Sequence, residues 1–153
     1  MRPLLYLDKL LELSPYSLNK IEKEKIFKKI LYSLNFHHYK NCSIYSKIIN
    51  SKKINLKKID NLIKIPFLPT RIFKFYDLKS VSKQKVIKIL TSSGTSDTLK
   101  SKIFLDSYTA KYQTRVLNNI VTDHLGSERL PMLIIDSKDT LQNKKSFSAR
   151  VVG

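Results

Sequence analysis

Glycine is scarce in this chain, three among 153 residues. That scarcity excludes the dinucleotide turn G-x-G-x-x-G, whose glycines permit a tight turn and close approach of backbone to pyrophosphate. A Walker loop is excluded as well, because the second glycine position counted from Gly94 holds Leu99. The single cysteine, Cys42, excludes an internal disulfide and fits a reducing compartment. No apolar run approaches the roughly 20 residues that span a bilayer. The opening Met1-Arg2-Pro3-Leu4-Leu5-Tyr6-Leu7 hints at a signal peptide but is broken by Asp8 and Lys9, with no small-residue cleavage site after it. A cytoplasmic protein is the expectation.

Acidic residues are few too, 12 against 29 basic ones, for a net charge of +17. Such an excess invites a nucleic-acid or anionic-membrane reading. The cations are mostly lysines spread along the chain, with arginine confined to Arg2, Arg71, Arg115, Arg129 and Arg150. Proteins that read base edges lean on arginine forks in clustered stripes. The abundance of Ile, Asn and Lys matches drift toward AT-rich codons, which explains the charge without any partner. A small basic binder of nucleic acid or anionic lipid is therefore the second reading. At 42% hydrophobic, the chain has enough apolar content for one globular unit.

Met1 to Pro15 is a mixed lead-in. From Ser17 to about Asn35, Leu18, Ile21, Phe27, Ile30, Leu31 and Leu34 recur at roughly helical spacing, which predicts an amphipathic helix. His37-His38-Tyr39-Lys40-Asn41-Cys42 starts or continues a second helix through Tyr45, Ile48 and Ile49. Two histidines and Cys42 are too few ligands for zinc, and His124 is remote, so no metal site is assigned. A cysteine can carry an acyl group as a thioester, but nothing nearby lowers the pKa of Cys42, and it too is left without a role. Asn50 to Lys64 predicts short amphipathic turns. Pro66 and Pro69 exclude a helix across Ile65 to Pro69.

Val86 to Leu90 and Ser101 to Leu105 predict two strands around Thr91-Ser92-Ser93-Gly94-Thr95-Ser96-Asp97-Thr98-Leu99-Lys100. Such a loop is either a Ser/Thr-rich hairpin turn or a phosphate cradle of backbone N–H groups, hydroxyls and a cation. Asp106 or Ser107 caps a helix carrying Tyr112, Val116, Leu117, Ile120 and Val121, which Gly126 closes. Pro131 to Asp136 predicts a buried strand. Strand, loop, strand, helix, strand is an α/β signature.

Ile89-Leu90-Thr91-Ser92-Ser93-Gly94-Thr95-Ser96 followed by Ser101-Lys102-Ile103-Phe104-Leu105-Asp106 resembles the phosphate loop of adenylate-forming enzymes. More narrowly, it resembles that of the LuxE-type acyl-protein synthetases, which activate long-chain fatty acids. Further pieces agree in order: His37 to Cys42 with Tyr45, Ile65 to Pro69 with Phe73-Lys74, Gln113-Thr114, Pro131 to Asp136, and Phe147 to Arg150 with Gly153. One departure is Asp97, where family loops usually carry a glycine. A carboxylate there repels a nucleotide unless it points away.

The resemblance implies an α/β fold in two parts. Helical residues 1–64 come first, and an incomplete adenylate-forming-type sheet with flanking helices follows over 65–153. It implies ATP with Mg²⁺, a fatty acid or other carboxylate substrate, and a partner protein that receives the acyl group. Ser92, Ser93, Gly94, Thr95 and Ser96 are the implied phosphate cradle, with Lys102 its cation. No residue here supplies the adenine pocket or the late-arriving catalytic groups of that class. No catalytic residue is assigned, and the expectation is a truncated unit, inactive alone, that works with a second chain. No nucleic-acid partner follows from the resemblance.

Overall fold

The structure is a computed structural model that describes residues 5–92, 99–131, 133, 135 and 147–148. It mixes helices with one small sheet. Helix α1 spans Leu5–Leu11, α2 Lys20–Asn41, α3 Ser43–Ser51, α4 Ile72–Phe75 and α5 Ser107–Leu125. The strands are β1 Val86–Thr91, β2 Lys102–Asp106 and β3 Phe147–Ser148.

A capping box starts α2. The Asn19 side chain accepts from the Glu22 amide at 3.0 Å, and the Asn19 amide donates to the Glu22 carboxylate at 3.1 Å. Two donors that the first helical turn leaves unpaired are thereby satisfied. The helix does not stop near Asn35 but runs on through His37, His38 and Tyr39 to Asn41. Cys42, in extended backbone at φ −123° and ψ 104°, breaks it and opens α3.

The core gathers at this break. Cys42, Tyr45, Ile49 and Leu56 are buried together, and Phe36, Tyr39, Leu68 and Leu78 pack around them. Ile49 sits at its centre, 1% exposed. The expected short turns follow at Leu56–Lys58 and Leu62–Lys64, each capped by an asparagine side chain, Asn55 or Asn61. Residues 65–69 run without a helix between these turns and α4, as their prolines require.

The strands pair antiparallel, Thr91 opposite Lys102 and Leu90 opposite Ile103. The two-residue β3 joins the other edge of β1 in parallel, so the order is β2-β1-β3. Asp106 caps α5, accepting from the Thr109 amide at 2.8 Å. Gly126 ends the helix at φ 83°, in the left-handed region where a residue without Cβ fits. The α/β class expected from the sequence holds at this coarse level.

Helix α1 lies in what the sequence suggested only as a lead-in. It is held by α5: Tyr112 donates to Asp8, Arg115 lies 3.6 Å from Asp8, and the Asn119 amide donates to the Leu11 carbonyl at 3.0 Å. The strand expected at Pro131 to Asp136 is not found in its described residues. Pro131, Leu133 and Ile135 carry no strand, and Leu133 and Ile135 are 86% and 90% exposed. An apolar run becomes a buried strand only where neighbours pair and cover it. No described helix is long and apolar enough to cross a membrane.

Candidate functional site: a hairpin neck above an apolar cleft

Two of the residues singled out in the sequence meet at the neck of the β1–β2 hairpin. The Ser92 amide donates to the Ser101 carbonyl at 3.2 Å, and the Ser101 amide donates to the Ser92 hydroxyl oxygen at 3.1 Å. One pair back along the ladder, Lys102 faces Thr91. Cross-strand partners share a face of the sheet, so Lys102 stands beside Thr91 at the mouth of the loop. Ser93, Gly94, Thr95 and Ser96 lie outside the described residues, as does Asp97.

Lys102 is not free. Its Nζ is 3.4 Å from a carboxylate oxygen of Asp77, both side chains being about half exposed. Sequence reasoning did not find Asp77. It lies 25 residues away, on the stretch after α4, and no local spacing marks it.

Beneath the hairpin is a cleft of about 1020 Å³. Helix α2 contributes Leu34 and His38, the core contributes Cys42 and Tyr45, and the stretch after Pro66 contributes Phe73, Leu78 and Ser80. Strand β2 supplies Ile103 to Asp106, and α5 supplies Tyr108 and Tyr112. A smaller hollow of about 400 Å³ over Phe36, Tyr39 and Leu56 contains no residue of the hairpin.

The polar groups of the cleft are individually partnered. His38 Nδ1 lies 2.7 Å from the Ser80 hydroxyl. The ring opens toward the cleft, yet the surrounding protein disfavours its charged form. That enclosure, and secondarily the neighbouring His37, lowers its pKa, so the ring is neutral near pH 7. Tyr45 donates to the Asn35 side-chain oxygen, and Asn35 donates to the Leu31 carbonyl at 2.7 Å. Burial raises the Tyr45 pKa. Tyr108 donates to Tyr112 at 2.8 Å, and Tyr112 to Asp8, whose acceptance holds the Tyr112 proton in place and raises its pKa. Burial pushes the Asp106 pKa up, but hydrogen bonds from Thr109 outweigh it, and the net shift is downward. The basic groups Lys79 and Lys85 also line the cleft, Lys79 lying 5.4 Å over the Phe104 ring.

Comparison with known proteins turns this arrangement into a family. The model of the acyl-protein synthetase family LuxE matches residues 6–153. A long-chain-fatty-acid–luciferin-component ligase from Photorhabdus luminescens is 38% identical over 84 residues, covering 54% of this chain and 69% of that protein. No solved structure matches. The chain belongs to the LuxE acyl-protein synthetase family. Nothing in these likenesses supports the nucleic-acid or anionic-lipid reading of the charge.

Proposed function

We propose that this chain takes part in ATP-dependent activation of a long-chain carboxylate, as the N-terminal portion of an acyl-protein synthetase. Its reaction runs in two steps. A carboxylate oxygen attacks the α-phosphorus of ATP, the bond to pyrophosphate breaks, and an acyl-adenylate forms. An acceptor thiolate then attacks the acyl carbonyl and AMP leaves.

The observation that best supports the reading is the hairpin neck, where Ser92 and Lys102 stand together at the entrance of a Ser/Thr-rich loop. There Lys102 neutralises phosphate charge, and Ser92 to Ser96 offer N–H and hydroxyl donors. Asp77 holds the lysine in place until nucleotide arrives. Mg²⁺, when bound, neutralises phosphate charge. It enters on the nucleotide, since no cluster of three or more His, Cys, Asp or Glu gathers among the described residues.

In this reading residues 1–64 form the helical part and 65–153 the phosphate-binding part of one unit that is inactive alone and completed by a second polypeptide. Its support is an open apolar surface: Ile87 and Ile89 on β1 are 63% and 41% exposed, and Val116, Leu117 and Val121 on α5 are exposed as well. The site is proposed to act in the cytoplasm, where ATP is available.

The test is fatty-acid-dependent hydroxamate formation with ATP and Mg²⁺, since hydroxylamine intercepts an activated acyl group. The chain by itself is expected to form none. Mixed with a polypeptide supplying the remainder of a LuxE synthetase, it is expected to form hydroxamate, and Lys102→Ala to abolish that gain. A mixture of folded partners that stays silent, or one indifferent to Lys102→Ala, overturns the proposal.

A further inference from the structure

We infer that the cleft under the hairpin holds the hydrocarbon chain of the carboxylate substrate, with the carboxylate directed toward the loop; this rests on the acyl-activation reading. Three observations carry it. The first is shape and chemistry. At about 1020 Å³ the cleft is at the top of the range of small-molecule sites. Leu34, Phe73, Leu78, Ile103 and Leu105 form its walls, and few polar atoms interrupt them.

The second observation is charge. Lys79 and Lys85 line the cleft, while its one carboxylate, Asp106, is engaged by the amide of Thr109. A free anion therefore meets cations and a neutral His38–Ser80 pair rather than an unpaired acid. The third is continuity along β2. Lys102 begins the strand at the loop, and the next four residues, Ile103 to Asp106, line the cleft. At about 3.4 Å per residue, Lys102 stands about 10 Å from the wall at Leu105. A chain lying along that wall brings its carboxylate to the phosphate loop, which is where attack on the α-phosphorus needs it.

The residues that decide chain length are those of the walls. Each further methylene buried strengthens binding about fourfold, until the cleft is full. Affinity climbs with chain length and then levels.

The probe is cis-parinaric acid, a long-chain fatty acid that fluoresces on leaving water, titrated into the full chain without nucleotide. Saturable binding displaced by palmitate is expected. Ile103→Glu places a carboxylate on the cleft wall at a position already 51% exposed, so folding is preserved. It should weaken the probe at least about tenfold. Lys85→Glu, on the exposed rim, should weaken it less. Ile87→Glu is the control, because Ile87 is 63% exposed and does not line the cleft. It should leave binding unchanged.

Probe binding that Ile87→Glu weakens and Ile103→Glu does not marks adventitious capture by the open sheet face and overturns the inference. Absence of saturable binding overturns it equally. Because ATP is absent from this titration, a failure of nucleotide binding at Lys102 is read separately and does not alter its outcome.

Discussion

Tyr45→Phe removes one oxygen from the floor of the cleft and leaves its packing in place. Tyr45 and Asn35 are 9% and 8% exposed, and the Tyr45 hydroxyl is the donor to the Asn35 side-chain oxygen. The asparagine amide is already committed to the Leu31 carbonyl at 2.7 Å, so the side chain cannot simply turn over. Without the hydroxyl, a buried acceptor loses its donor, which costs about 1–3 kcal/mol. At about 2–4 °C per kcal/mol for a chain of this length, Tm should fall by about 2–12 °C. In urea the midpoint should drop with the slope unchanged, since the same surface is exposed on unfolding. Combining Tyr45→Phe with Asn35→Leu removes both halves of the pair and should recover most of the loss. A Tyr45→Phe protein within about 0.5 kcal/mol of the parent, or a double variant as unstable as the summed singles, refutes the reasoning.

The Lys102–Asp77 pair gives opposite expectations for its two members. Isothermal calorimetry should show ATP affinity rising up to about fivefold in Asp77→Asn, because an exposed rival worth about 0–1 kcal/mol is gone. It should fall about 10- to 100-fold in Lys102→Ala, and weaker binding in both variants counts against the role of the lysine. His38 has a folded pKa below its ordinary 6.5, so the unfolded chain takes up the proton first and stability rises with pH across that window. Urea melts should therefore lose stability as pH falls below about 6.5, and His38→Gln should flatten that part of the slope. An unaltered slope contradicts the enclosed neutral ring. Ile49→Ala, at a position 1% exposed, should cost about 2–5 kcal/mol in chemical denaturation, whereas a loss under about 1 kcal/mol would show the core lies elsewhere.

What was legible in the sequence was local. The two strands around the loop announce themselves by β-rich apolar runs, and Asp106 and Gly126 mark the ends of α5 by capping chemistry. The Asn19–Glu22 box carried an equally local signal that hydrophobic spacing alone did not use. The start of α2 was read from Ser17, and its end was set six residues short because His37 to Lys40 interrupt the apolar pattern without interrupting the backbone.

The site's partners were not legible. His38 meets Ser80 across 42 residues, and Lys102 meets Asp77 across 25. Both pairs form only once the stretch after Pro66 folds back over the α2–α3 junction. Tertiary closure of this kind leaves no periodicity. The run at Pro131 to Asp136 shows the converse. Its composition suits a buried strand, but strand formation needs a neighbour, and the described residues there have none paired to them.

Melting of the purified full chain with and without ATP and Mg²⁺ tests most directly whether nucleotide belongs at the hairpin. A ligand that binds only the folded state at a hundred times its Kd adds about 2.7 kcal/mol, a rise of several degrees in Tm. The rise should vanish in Lys102→Ala while that variant melts like the parent without nucleotide. A well-folded parent whose melting temperature does not move with ATP, or moves equally in Lys102→Ala, contradicts a phosphate site at Ser92 and Lys102.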